Sequence, residues 1–191
     1  CEIVHREARR LNDLVGDMLD LSKRRPPTAQ ATDVAALARE VVALAANAAR
    51  GSDVRVRYQG PETDAALARC DGPQIRQVLW NLVRNAMQAS SAGSTVVVRV
   101  ELQERTVTLA VDDQGPGIPE DSRARIFEDF FTTRTHGAGI GLAVVRRIVE
   151  DHEPMGARLS VEKAVGGGAS FRVTLSRDVA GLRRSLAPPP R

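Results

Sequence analysis

Two segments with strand periodicity set the frame for this chain. Residues 95–102 (TVVVRVEL) place Val96, Val98, Val100 and Leu102 on one side, and residues 106–111 (TVTLAV) do the same with Val107, Leu109 and Val111. Alternation of this kind marks a strand with one buried face. Only a polar turn, Gln103 to Arg105, separates the two segments, so they are read as neighbours. Something else in the chain has to cover the buried face.

Helical periodicity supplies the cover. From Asp71 or Gly72 to about Ser90, apolar residues recur at Ile75, Val78, Leu79, Leu82 and Ala86, one stripe of a helix. Asp33 is placed to cap an earlier helix, VAALAREVVALAANAA, that closes near Gly51. Ile140, Val144 and Ile148 mark a third over 140–151. Further strands are expected at 54–58, at 65–70 as its short partner, and at 158–162 and 170–175, the last two joined through Gly166, Gly167 and Gly168. A short helix is expected over 122–127, followed by an irregular stretch to Gly139. Helices on one side and a mixed, mostly antiparallel sheet on the other give an α+β chain folded as a two-layer sandwich. The order never repeats strand–helix–strand, and neither GxxxxGK[ST] nor GxGxxG after a strand occurs, so a Rossmann or P-loop nucleotide site is excluded.

The first 25 residues differ from the rest. Val4, Ala8, Leu11, Val15 and Met18 alternate spacings of four and three, with Leu14 and Leu21 widening the seam. That is a heptad pattern for a long helix that packs on another helix. Pro26 and Pro27 end it. Residues 26–32 are then a linker, 33–176 a domain, and 177–191, ending APPPR, a tail expected to lack order. The chain opens at Cys1 rather than Met and runs straight into the heptads, so it is read as a piece of a longer protein. No apolar run approaches the ~20 residues of a membrane span, and a cytoplasmic setting is expected, with any anchor lying outside the piece. The 191 residues are 42% hydrophobic and 27% charged, a globular balance. A net charge of +3, mixed with acids, and only 3% aromatics argue against a nucleic-acid partner. Cys1 and Cys70 lack ligand spacing and are read as plain thiols.

Three elements carry candidate chemistry. In QIRQVLWNLVRNAMQAS, Asn81 and Asn85 stand four apart, so both amides leave one face of the helix, away from the apolar stripe. Amide oxygen is a hard, neutral ligand suited to magnesium, although paired asparagines are commonly no more than surface polars. In VDDQGPGIP, Asp113 ends a strand and Gly115 and Gly117 follow, so the backbone can approach a flat ligand while the carboxylate accepts from an exocyclic amine. In GAGIGLAVV, Gly137, Gly139 and Gly141 run into a helix whose exposed N–H groups suit a phosphate. Before it lies IFEDFFTTR, where Phe127, Phe130 and Phe131 would tether a glycine-hinged flap.

Taken together and in this order, the elements resemble the sensor histidine kinases, within the wider ATPase family that includes gyrase, Hsp90 and MutL. The N box of that family is similar to QIRQVLWNLVRNAMQA, its G1 box to DQGPGI, its F box to RIFEDFFTTR and its G2 box to GAGIGLAVV. GGGASF resembles its closing Gly-x-Gly-Thr-x-Phe strand. The resemblance covers about residues 33–175 and implies a Bergerat-type fold binding ATP with magnesium. It implies that Asn85 holds the metal, that Asn81 lies near the phosphates, and that Asp113 reads adenine in a pocket shaped by Gly115, Gly117 and Ile118. Arg134, with Thr133 before it, stands where the family has a phosphate-facing lysine. Gly137, Ala138, Gly139, Ile140, Gly141 and Leu142 would form the closing lid, packed by Phe130 and Phe131. Residues 1–25 resemble the second helix of the dimerisation hairpin, which implies a homodimer and a response-regulator receiver domain as partners.

The sequence also departs from that pattern. The phosphoacceptor box H-E-x-R-N-P is absent, and His5 lacks its neighbours, so the acceptor is expected outside this chain. His136 and His152 are read as solvated or capping residues. Ala169 replaces a threonine, and residues 153–156 replace a shorter turn. A hydrolase like gyrase, Hsp90 or MutL is the competing reading. Those relatives have a glutamate where Asn81 stands, and an amide is a poor base. A degenerate docking module and a serine kinase are weaker alternatives.

Overall fold

The structure is a computed structural model that describes residues 25–49, 53–63, 65–123, 125–128, 131 and 139–178. The heptad segment up to residue 24 and the tail from 179 lie outside the described residues.

Seven strands and three α-helices are present among them. The strands are β1 (Gln30–Asp33), β2 (Arg55–Gln59), β3 (Leu67–Cys70), β4 (Thr95–Leu102), β5 (Thr106–Asp112), β6 (Arg158–Lys163) and β7 (Ala169–Ser176). The helices are α1 (Val34–Ala48), α2 (Gly72–Ala89) and α3 (Gly141–Asp151). Five strands form one sheet in the order β2-β4-β5-β7-β6, with β2 parallel to β4 and the other pairs antiparallel. All three helices lie on one face, α2 packed between α1 and α3.

Register explains the core. Val98 pairs with Val111 and Val111 with Phe171, while Leu109 pairs with Val173 and Val107 with Leu175. Paired residues share a face, so the apolar sets of β4, β5 and β7 merge into one buried layer. Against it α2 sets Ile75, Val78, Leu79 and Leu82, all fully buried. The opposite face carries ion pairs instead, Arg99 to Asp112 at 2.9 Å and Arg172 to Glu101 at 2.7 Å.

Two aspartates start the helices. Asp33 Oδ1 accepts from the Ala35 and Ala36 amides and also from Ala66 N, tying α1 to the chain entering β3. Asp71 caps α2 through Gln74 N at 3.1 Å, with Pro73 in the first turn, where its missing N–H costs nothing. Its other oxygen accepts from Arg25 Nη2 at 2.7 Å and Thr28 N at 2.8 Å.

The fold corrects several expectations. Residues 30–32 are not free linker: Gln30–Asp33 pairs antiparallel with β3. The strand at 65–70 was expected beside β2, but β2 lies parallel to β4 and β3 joins β1 in a separate two-stranded sheet. Arg177 and Asp178, assigned to the tail, bond to β3 through an Ala68–Arg177 bridge and an Asp178 N to Leu67 O bond. In place of a helix over 122–127 there is a 3-10 turn, Glu120–Ser122, followed by turns. Of the two readings of His152, solvated or capping, the second holds, since it is the C-cap residue of α3. It is fully buried, with Nδ1 2.8 Å from the Ile148 carbonyl and Nε2 accepting from Asp71 N at 3.1 Å, which together place the proton on Nδ1. Cys70 is a buried free thiol, and burial pushes it up to about 11, so it stays protonated and inert. Cys1 and His136 lie outside the described residues.

Candidate functional site

Helix α2 provides the floor of the site. Its stripe toward the sheet is aliphatic, so the residues a third of a turn away, Asn81 and Asn85, emerge along the side that faces α3 and the loop after β5. Asn81 is only 5% exposed, because the start of α3 closes over it: a Cβ added to Gly141 would stand 3.8 Å from Asn81 Oδ1. Asn85, one turn on, is half-buried. Ala89, a further turn on, has its carbonyl against the β5 loop, where a Cβ on Gly115 would lie 2.6 Å from it. Asn81 and Ala89 thus mark two ends of a trough about 12 Å apart along the helix.

Asp113 defines the end near Ala89. It is 3% exposed, and its Oδ1 accepts from Gly115 N at 2.9 Å and from Ala169 N at 3.1 Å. Its own amide donates to the Ala169 carbonyl at 2.9 Å. Nothing among the described residues donates to Oδ2. A carboxylate fixed through one oxygen, with the other left over, suits a ligand that presents an N–H. Gly117 (φ +76°) turns the loop back, and Ile118 packs on the core.

The opposite end is the N-terminus of α3. Ile140 is its cap residue and is buried, and no side chain among the described residues caps the helix. No acidic residue lies in the first turn. The leading N–H groups therefore remain available to an anion. Gly139 (φ +68°) leads into this turn, and Leu142 packs on the core. Two phenylalanines anchor the segment before it. Phe127 meets Phe171 edge-on at 6.3 Å, and Phe131 is half-buried under the Arg125 guanidinium, 4.6 Å from its ring centre.

The structure brings together Asn81, Gly141 and Ile140 at one end, and Asp113, Gly115 and Gly117 at the other. Phe130, Thr133, Arg134, Gly137 and Ala138 lie outside the described residues. Two contributors escaped the sequence reading. Gly168, read as part of the joining turn, and Ala169, read as replacing a threonine of the closing strand whose hydroxyl would help hold adenine, clamp Asp113 at the start of β7. Arg84, three residues on from Asn81 and on the side of it away from Asn85, donates from Nη2 to Asn81 Oδ1 at 3.3 Å. The run of three glycines was the available signal for the first, since a hairpin turn needs fewer.

A caged carboxylate at one end of a trough and a helix N-terminus at the other, in a two-layer fold, is an arrangement that suits a nucleotide. Residues 70–179 match the family described as histidine kinase-, DNA gyrase B-, and HSP90-like ATPase, and the chain belongs to it. Within that family it is similar to sensor histidine kinase ZraS of Escherichia coli K12, 33% identical over 174 residues, which are 91% of this chain and 37% of ZraS. The chain thus spans little more than a third of the length of the curated relatives it matches. Full-length ShkA solved with AMPPNP superposes with a TM-score of 0.74 at 28% identity, over 90% of this chain and 37% of ShkA. Histidine kinase ThkA solved with the response regulator TrrA does so with a TM-score of 0.74 at 29% identity, over 92% and 49%. The described residues have the histidine kinase ATPase fold. None of their helices is long and apolar enough to cross a membrane.

Proposed function

We propose that this chain holds Mg-ATP for transfer of the γ-phosphoryl group to a histidine outside it, from which an aspartate of a response regulator receives it. The observation that carries this reading is the pairing of the Asp113 cage, beside the C-terminal end of α2, with the Asn81 face at the middle of that helix. ATP has the matching polarity, an amine-bearing base at one end and a polyphosphate at the other. ShkA was solved with an ATP analogue and ThkA with a response regulator, which supports the same ligand and partner here.

In this proposal Asp113 accepts from the adenine amine, and Gly115, Gly117 and Ile118 line that pocket. The α3 amides and Asn81 face the phosphates, and Phe130, Phe131 and the stretch from Thr133 to Leu142 form the lid, with Arg134 its cation. The donor chemistry suits magnesium: Asn81 and Asn85 stand one turn apart on one side of α2, an amide oxygen is a hard, neutral ligand, and Asn85 is the residue assigned to hold the ion. When bound, magnesium neutralises phosphate charge. The remaining work is positioning. The bond between the γ-phosphorus and the ADP bridging oxygen breaks, a bond to an imidazole nitrogen forms, and ADP leaves. Asn81 in place of a carboxylate leaves no base there to activate water. Residues 1–25 are assigned to the second helix of a hairpin that forms a homodimer, 26–29 to the connection, and 30–178 to the catalytic domain, with β1 and the Arg177–Asp178 contacts added to the 33–176 read from the sequence.

Incubation with γ-labelled ATP tests the reading. The chain alone is expected to stay unlabelled, and a helical hairpin of the parent protein carrying the acceptor histidine, added in trans, is expected to take up label. Asn85→Ala should slow that transfer by more than about 100-fold, since a catalytic metal contributes several kcal/mol. Fast, steady release of phosphate with no labelled hairpin would establish a hydrolase instead, and label on His5 would refute an outside acceptor.

A further inference from the structure

Resting on that reading, we propose that Arg84 is a phosphate-binding residue of this site, contributing a guanidinium to the polyphosphate from the floor of the trough rather than from the lid. Three observations place it. Its Nη2 donates to Oδ1 of Asn81, which is 5% exposed. A Cβ added to Gly141, the first residue of α3, would stand 3.4 Å from the same nitrogen. The Asn81 side chain has no other hydrogen bond among the described residues, so the pair is a local i,i+3 contact at the mouth of the α3 terminus.

The guanidinium and the leading amides of α3 converge on one corner. Both donate N–H, and both carry positive charge or partial charge. A dianionic phosphate oxygen set is the ligand that such a corner takes, because a planar fork and a row of amides can be satisfied together by several oxygens of one group. The Asn81 amide holds the fork beside the α3 terminus. Arg84 is thereby fixed from helix α2 itself. The residue also precedes Asn85 directly, which keeps the cation and the metal ligand in one turn of α2.

The proposal separates charge recognition from adenine recognition, and that separation is measurable. Dissociation constants for ATP, ADP and AMP are compared between the unmodified chain and its Arg84→Gln and Arg84→Lys variants by calorimetry. The fluorescence of Trp80, the chain's one tryptophan and four residues from Arg84, gives a second readout. For Arg84→Gln the loss should grow with the number of phosphates and reach about 10- to 100-fold for ATP, the range of a charged hydrogen-bonded contact. Arg84→Lys should recover part of it, because charge is kept and the fork is lost. An equal loss for all three nucleotides would mark Arg84 as a structural support of Asn81 and overturn the proposal, as would unchanged ATP affinity. Failure of the unmodified chain to bind ATP at all would overturn the proposed function and this assignment with it.

Discussion

Gly168→Ala is expected to destabilise the domain by about 3–5 kcal/mol, the sum of left-handed strain and a steric overlap that cannot relax. Gly168 sits at φ +76°, and a Cβ there would come 2.2 Å from the Asp113 carbonyl oxygen and 2.4 Å from its Oδ1. Both atoms are fixed: the carboxylate by the Gly115 and Ala169 amides, the main chain by the Asp113 N to Ala169 O bond. The overlap therefore has to be relieved by opening β7 from the β5 loop, which takes the caged carboxylate with it. Gly167 provides the control. Its φ is +87°, yet nothing lies within 4 Å of its Cβ position. Gly167→Ala should cost only the strain, about 1–2 kcal/mol. Urea unfolding midpoints of the two variants measure the difference. Equal losses would show that the β7–Asp113 contact is not what requires glycine at 168.

Asp113→Asn is the second large effect, and it strikes binding instead of stability. The amide oxygen of asparagine can take the place of Oδ1 and keep both backbone donors, so the fold should move by no more than about 1 kcal/mol. The position of Oδ2 then carries an NH2 group. A donor would face the donor that adenine presents, and a buried site built to accept a hydrogen bond rejects a ligand that leaves it unpaired. Affinity for adenine nucleotides is expected to fall by about 100-fold or more. Retained affinity in a folded Asp113→Asn chain would remove Asp113 from base recognition. An unfolded variant is ruled on separately by the same urea curves.

Much of this was legible in the sequence because the signals were periodic. The strands at 95–102 and 106–111 and helix α2 pack one apolar stripe each, and periodicity reports that without any knowledge of the partner. The asparagine face followed from the same arithmetic, since fixing the stripe fixes what points away from it. β1 was not legible. Gln30–Asp33 reads QATD, with no alternation, and it is a strand because the edge of β3 offers backbone partners to a chain already extended by Pro26 and Pro27. The burial of His152 was hidden for a related reason. At a helix end it reads as solvated or capping, and it does cap, but only the fold brings Asp71, 81 positions away in sequence, onto its Nε2. Gly168 and Arg84 share that cause, as each acts on a residue of the site through a contact that spacing does not encode or that a surface-polar reading hides.

The account rests on this chain being an ATP site, and a calorimetric titration of the unmodified chain with Mg-ATP tests that most directly. Saturable binding of one nucleotide per chain, weakened when magnesium is chelated, is the predicted result. A flat titration, with the domain shown to be folded, would contradict it.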